Sequence, residues 1–156
     1  MIIVSDTSPI CYLLLIDCIE VLQVLYKVVI IPQAVADELN ALQSPPVVQN
    51  WIAQPPEWLQ IQPVERLQSL EIGKLDPGEQ EAILLAKQLK ADLVILDDKA
   101  ARRIAMNQGL TVIGLLGILK DAAGTGLLEL QPTFERLREV GFWVAPSLLK
   151  QLLEDG

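Results

Sequence analysis

The stretch Leu93-Val-Ile-Leu-Asp97-Asp98 places two carboxylates directly after four consecutive apolar residues. It has the form of a short buried strand, and carboxylates are costly near a core unless something pairs with them. Met1-Ile-Ile-Val-Ser-Asp6 has the same form at the start of the sequence. If the two strands are neighbours in a parallel sheet, Asp6 and Asp97 emerge at its carboxyl edge, where open α/β sheets bind ligands. A cation site at this edge is therefore the first hypothesis.

Apolar runs and helical patterns alternate along the rest of the chain. The pattern predicts strands at 2–4, 28–31, 58–61, 93–96 and 111–113, with 58–61 as an edge strand. It predicts helices at 10–16, 18–25, 32–42, 47–53, 77–90, 99–108, 114–123, 133–140 and 146–153. This alternation predicts an α/β fold with a mainly parallel sheet of four or five strands and helices on both faces. At 156 residues the simplest expectation is one domain, 1–156.

Three helix starts carry recognisable capping residues. Ser8 precedes Pro9, which is the order of an N-cap hydroxyl and a proline at the first helical position. Asp76 and Glu79 have the spacing of a capping box, in which each side chain accepts a backbone N–H of the other residue. Asp98 precedes the helix predicted at 99–108 and is well placed to be its N-cap.

Composition and charge narrow the class of protein. Hydrophobic residues make up 51% of the chain, which is ample for a core and argues against disorder. A net charge of −8 argues against a broadly basic nucleic-acid surface, although bound cations and a local basic patch can offset the field. No apolar run approaches the ~20 residues of a membrane-spanning helix, and no basic segment precedes the apolar start. We expect a cytoplasmic protein.

Histidine is absent, and this excludes several chemistries. A Ser-His-Asp triad, a Cys-His dyad and a histidine-bound zinc site all require it. Cys11 and Cys18 form no CxxC motif and are expected to be buried free thiols. Catalysis would then depend on carboxylates, lysines, hydroxyls or a metal, and carboxylates favour a hard cation such as Mg²⁺ or Mn²⁺.

The acids differ in how well a structural role explains them. Ser8 already suits the capping position near Asp6, so a functional role for Asp6 is favoured, and Asp97 is the strongest candidate because it follows a buried strand. Glu38 alone resembles a residue on a solvated helix flank. Glu79 falls within the angular range of the predicted buried stripe of its helix.

Two further acids are weaker candidates. Glu81 lies to one side of that stripe, which predicts that its side chain faces solvent. It is therefore a candidate only for a supporting role around the site. Asp98 suits the capping role but can also reach a metal through water.

Several carboxylates in one pocket raise one another's pKa, and a divalent metal relieves this repulsion. Such a metal activates water and stabilises charge on a phosphoryl oxygen.

Four motifs within residues 1–113 resemble those of PIN-domain proteins, close to the VapC-like toxin nucleases. They are IVSDTSPI at 3–10, IPQAVADEL at 31–39, PGEQEAILLA at 77–86 and LVILDDKAARRIA at 93–105. GExEAI and the doubled acid are similar to one branch of this family, as is GLTVIGLLGIL at 109–119. Each motif alone is loose, but the four in this order and spacing are fairly specific.

The resemblance implies a PIN-like, Rossmann-like three-layer α/β/α sandwich. The acidic site of the family falls on Asp6, Glu38, Glu79 and Asp97 as catalytic residues and metal ligands, with Asp98 as a further ligand. The third acid is usually aspartate, so Glu79 is a departure. Ser8 and Glu81 are therefore kept as supporting or alternative ligands.

The resemblance also implies an activity and partners. The expected activity is an endoribonuclease dependent on Mg²⁺ or Mn²⁺, expected to be the toxin of a type II toxin–antitoxin pair, with a homodimer and a cognate antitoxin as partners. Lys99, Arg102 and Arg103 follow the doubled acid and are expected to contact RNA, although a solvated helix face explains them equally well.

Other classes of function are alternatives to the nuclease. A receiver-like phosphoacceptor also binds Mg²⁺ at parallel strand ends, but the first strand here ends in one acid and no lysine follows 111–113. A haloacid-type phosphatase needs an acid two residues after Asp6, where Ser8 stands. A catalytically inactive PIN-fold binding module is the third class.

Overall fold

The computed structural model describes residues 1–65, 75–142, 148, 150, 151 and 154, and within them the chain forms five strands and eight helices. The strands are β1 (Ile3–Ser5), β2 (Val29–Pro32), β3 (Leu59–Gln62), β4 (Leu93–Ile95) and β5 (Val112–Ile113). The helices are α1 (Thr7–Leu15), α2 (Glu20–Tyr26), α3 (Gln33–Leu39), α4 (Pro46–Ala53), α5 (Pro77–Leu89), α6 (Lys99–Asn107), α7 (Leu115–Gly124) and α8 (Leu130–Glu139).

The strands form one sheet in the order β3-β2-β1-β4-β5, and every pair is parallel. Ser5 lies opposite Ile95, and Val4 lies between Ile30 and Val94, so β1 is central. The carboxyl ends of β1 and β4 therefore meet at the same edge of the sheet. The predicted α/β fold is confirmed, and β3 is the edge strand that the sequence indicated.

Helices cover both faces of the sheet because residues of a strand alternate between the two faces. Ile3 and Ile95 pack with apolar residues of α1, α2, α7 and α8 on one face. Val4 and Val94 pack with α5 and α6 on the other. All three residues of β1 are buried, as continuous apolar strands of parallel sheets are. Burial on both faces fixes the backbone of β1 and β4, and so the positions of Asp6, Asp97 and Asp98, which follow these strands.

The start of α1 differs from the prediction. The helix begins at Thr7, so Ser8 and Pro9 lie inside its first turn and Ser8 is not the N-cap. Proline is tolerated there because the first N–H groups of a helix have no intrahelical acceptor. The earlier start places Asp6 directly between the end of β1 and the first residue of α1.

Three other predicted boundaries are wrong by two or three residues. Helix α2 begins at Glu20 rather than at 18, because Asp17 adopts a left-handed conformation with φ 58° in the turn before it. Helix α3 ends at Leu39 rather than at 42, and Leu42 is 95% exposed. Helix α8 begins at Leu130 rather than at 133. The remaining boundaries agree within the usual one or two residues.

The predicted helix at 146–153 lies largely outside the described residues. Among the helices that are described, none has both the length and the apolar character needed to cross a bilayer.

Candidate metal centre

Asp6 is held at the carboxyl edge of the sheet by its own backbone. Its N–H donates to the carbonyl of Ile95 on β4 at 3.0 Å, which continues the β1–β4 ladder by one residue. The side chain is only 4% exposed, and it makes no capping bond to α1 although Asp6 occupies the N-cap position. Among the described residues, its Oδ1 is buried without a hydrogen-bond partner. A buried polar atom without a partner calls for an explanation such as an ion.

Glu38 is fixed by two other elements of the fold. Its Oε1 accepts a hydrogen bond from Thr7 Oγ1 at 2.8 Å, and its Oε2 accepts one from the N–H of Gly78 at 2.7 Å. Thr7 begins α1 and Gly78 lies in the first turn of α5, so the carboxylate is clamped between these helix starts. The helix-flank position that looked solvated in the sequence therefore points toward the sheet edge.

Asp76 is the third carboxylate of the centre. One carboxylate oxygen from each of Asp6, Glu38 and Asp76 lies within 4.8 Å of the others. Asp76 is also the N-cap of α5: its Oδ1 accepts the N–H of Glu79 at 2.8 Å, and Glu79 Oε1 accepts the N–H of Asp76 at 3.2 Å. The predicted capping box is confirmed. Because a cap uses one oxygen, the same side chain has a second for another partner.

Burial and mutual repulsion perturb the acids of this edge. Burial, followed by the charges of Asp76, Glu79 and Glu38, raises the pKa of Asp6 from 3.8 to about 8. Burial likewise raises the pKa of Glu79 from 4.5 to about 7, and it raises the pKa of Glu38 although Thr7 and Gly78 oppose this. Like charges close together cannot all ionise without a compensating charge. The pocket is therefore built for bound protons or for a cation.

The donors fit a hard divalent cation. All three groups offer carboxylate oxygens, the ligand type that suits Mg²⁺ and Mn²⁺. The unpartnered buried oxygen of Asp6 is the specific observation, because a cation would satisfy it where the described protein atoms do not. Asp6, Glu38 and Asp76 are the residues that would hold the ion.

Glu79, Asp98 and Glu81 lie around this group but not in it. Glu79 is engaged in the capping box, and Asp98 is exposed and caps α6 by accepting the N–H of Ala101 at 2.9 Å. Glu81 was expected to face solvent, which is wrong. Its Oε1 accepts the N–H of Ala34 at 3.0 Å because α3 packs directly against α5.

Asp97 lies at the same edge with different partners. Its Oδ1 accepts the N–H of Leu115, at the start of α7, at 2.8 Å. Its Oδ2 is buried and has no hydrogen-bond partner among the described residues. Burial raises the pKa of Asp97, against the opposing effects of Leu115 and Arg102. Asp97 is not one of the three carboxylates within 4.8 Å.

Ser8 is half-buried in α1, and its hydroxyl makes no hydrogen bond within the described chain.

Sequence reasoning missed Asp76, Thr7 and Gly78 as parts of the site. The signal for Asp76 was present: a capping aspartate leaves one oxygen free at a helix start. Gly78 has a steric role, because a Cβ built on it would lie 2.5 Å from Glu38 Oε2 and 2.7 Å from Oε1.

This close approach gives a prediction for Gly78→Ala. The methyl group meets the end of the Glu38 side chain and would displace it from Thr7 and Gly78, so we expect the protein to fold with its free energy of unfolding lowered by about 1–3 kcal/mol. The displaced carboxylate should lower the affinity for Mn²⁺ by about 10-fold or more, the size of effect seen for residues that orient ligands. Calorimetric titration with Mn²⁺, together with thermal unfolding, measures both quantities.

Gly124→Ala is the matched control, because a Cβ at this α7 glycine meets nothing within 4 Å. If Gly78→Ala binds Mn²⁺ as tightly as Gly124→Ala, the position of Glu38 is unimportant for the metal.

One of three comparisons with known proteins found a match. A family model described as PIN domain matches residues 2–155. No curated protein and no solved structure matches the chain.

Proposed function

The chain belongs to the PIN-domain family, and on this premise we propose that it is an endoribonuclease that needs Mg²⁺ or Mn²⁺. PIN domains are generally metal-dependent nucleases, and the acidic centre is consistent with that class. The observation that carries the proposal is the group of three carboxylates within 4.8 Å at the carboxyl edge of the sheet, with a buried oxygen of Asp6 unpartnered by described residues.

Each residue has a defined part in this proposal. Asp6, Glu38 and Asp76 hold the cation, which when bound supplies positive charge for a phosphoryl oxygen and for a reacting water. Thr7 and Gly78 hold the Glu38 carboxylate in place through the hydrogen bonds described above.

Two further acids support the centre. Glu79 fixes Asp76 through the capping box. Asp97 is proposed as a further catalytic carboxylate because it presents an unpartnered buried oxygen at the same edge. Asp98 is accounted for as the cap of α6 and is not needed as a ligand.

The test is cleavage of end-labelled single-stranded RNA by the full chain with Mg²⁺ or Mn²⁺ and with EDTA. We expect cleavage with either metal, none with EDTA, and at least about 10-fold slower cleavage in Asp76→Asn. Asparagine caps helices as well as aspartate does, so stability should change little and the loss reports the missing charge.

Asp98→Asn makes the comparison decisive, because it is the same exchange at the N-cap of another helix. A larger loss in Asp98→Asn than in Asp76→Asn would mean that the third ligand is misassigned. Metal-dependent cleavage that is equal in both variants and in the unmodified chain would remove Asp76 from the site.

We further propose that the protein is the toxin of a type II toxin–antitoxin pair and acts as a homodimer. The support is the resemblance of its four motifs to VapC-like toxins. Induced expression should then arrest growth, and Asp6→Asn should not. Normal growth with active, soluble enzyme would indicate a nuclease of another role.

A further inference from the structure

Helix α6 carries a compact strip of positive charge. Lys99, Arg102, Arg103 and Met106 follow the i, i+3, i+4, i+7 spacing of one helix face, while Ala101 and Ala105 are buried. Three of the chain's 12 lysines and arginines fall within five residues here, in a protein of net charge −8. This face therefore concentrates positive charge in a chain whose net charge is negative.

Helix stability does not account for these cations. Lys99 is the first residue of α6, where the helix macrodipole disfavours positive charge. Within the described part of the chain, the side chains of Lys99 and Arg103 make no hydrogen bond or ion pair. Two such side chains on a nine-residue helix are available to an external anion.

The strip lines a cavity that begins at the acidic edge of the sheet. The cavity has a volume of about 380 Å³ and is lined by Asp97, Lys99, Arg102, Arg103 and Met106. Gly114 lets two of these lining side chains approach its backbone closely: a Cβ at Gly114 would lie 2.8 Å from Arg102 Nη1 and 3.0 Å from Asp97 Oδ1. An anion in the cavity would thus lie beside the edge that carries Asp6.

We propose that this cavity binds the phosphodiester backbone of single-stranded RNA next to the phosphate that is cleaved. Lys99 and Arg103 contact the phosphate oxygens, and Met106, which is 54% exposed, offers a polarisable apolar contact to a base. The inference rests on the proposed function only in placing the cleaved phosphate at the three carboxylates.

A single strand fits the charge distribution better than a duplex. The positive strip is one face of one short helix, and Asp98, directly before it, is an exposed acid. A single strand can follow the strip alone. A duplex would bring a second row of phosphates against the acidic remainder of the surface.

The test is binding of a fluorescent single-stranded RNA oligonucleotide in the Asp6→Asn background, which separates binding from cleavage. We expect the double variant Lys99→Gln, Arg103→Gln to weaken binding by about 10-fold, because two phosphate contacts are lost. We also expect a plot of log K against log salt that is less steep by about 1.4, or ~0.7 for each lost phosphate contact. Arg138→Gln, an exposed arginine on α8 across the sheet, is the matched control and should leave both quantities unchanged.

Unchanged affinity and salt slope in the double variant would overturn the inference, even if the enzyme cleaves RNA normally. Failure of the parent to bind any single-stranded RNA at low salt would overturn it too, as would preferential binding of duplex RNA. Binding that depends on Lys99 and Arg103 in a protein that never cleaves RNA would support this site while removing the proposed nuclease activity.

Discussion

Replacement of Asp6 by asparagine is expected to lower metal-dependent RNA cleavage by at least about 10²-fold, the size of loss seen when one charge-stabilising group is removed from an active site. Asp6 has the most buried carboxylate of the centre and the one whose Oδ1 finds no partner among the described residues. Asparagine has nearly the same shape but removes the charge that a cation needs. The measurement is the single-turnover cleavage rate at saturating Mn²⁺.

Asp37→Asn is the matched control for this experiment. Asp37 is exposed on α3, one residue before Glu38, and it accepts a hydrogen bond from Gln33 that asparagine can still accept. Its cleavage rate should match that of the unmodified chain. A rate for Asp6→Asn within about threefold of this control would contradict the role of Asp6.

The second large effect concerns stability without metal. The pKa of Asp6 is raised by burial and by neighbouring acids from 3.8 to about 8, and that of Glu79 from 4.5 to about 7. Between about pH 4 and pH 8 the folded protein thus binds more protons than the unfolded chain, so the free energy of unfolding falls as pH rises through this window. For Asp6 alone the upper bound of the loss is about 6 kcal/mol.

In EDTA-treated protein this predicts a melting temperature at least about 5 °C lower at pH 8.5 than at pH 5. The variant Asp6→Asn should be more stable than the unmodified chain at pH 8.5, because it no longer carries the buried charge. Mn²⁺ should stabilise the unmodified chain most at high pH, by about 2.7 kcal/mol at 100 times its Kd.

Thermal unfolding of both proteins across pH 5 to 9, with and without Mn²⁺, measures these effects. Asp37→Asn should follow the profile of the unmodified chain. A profile that is flat with pH, or Asp6→Asn less stable than the unmodified chain at pH 8.5, would mean that the charge of Asp6 is compensated without a metal.

Local patterns were sufficient for the fold and for part of the centre. The apolar runs before Asp6 and Asp97 predicted two buried strands, and alternation with helices predicted a parallel sheet. The capping residues at Asp76, Glu79 and Asp98 behave as the sequence indicated. These features depend on neighbours within a few residues, which is why the sequence alone contains them.

The membership of the centre was harder to predict because it depends on how helices approach one another. The packing of α3 against α5 brings Gly78 to Glu38 and turns Glu81 toward Ala34. A helical wheel of α5 contains no information on α3, so it predicted solvent for Glu81. The same approach gives Asp76 a second role beside its cap.

Asp97 illustrates the limit set by loops at strand ends. The sequence placed it correctly at the carboxyl edge, but its Oδ1 accepts the N–H of Leu115 after β5. That contact depends on the turn at Gly114 and on the short strand before it, which no pattern around Asp97 reveals.

The most direct measurement is anomalous X-ray diffraction from crystals of the full chain soaked in Mn²⁺ near pH 8. The account predicts an anomalous peak within bonding distance of the carboxylate oxygens of Asp6, Glu38 and Asp76, and its loss in Asp6→Asn crystals. Ordered carboxylates with no peak among them, or a peak bound elsewhere while these three remain free, would contradict it.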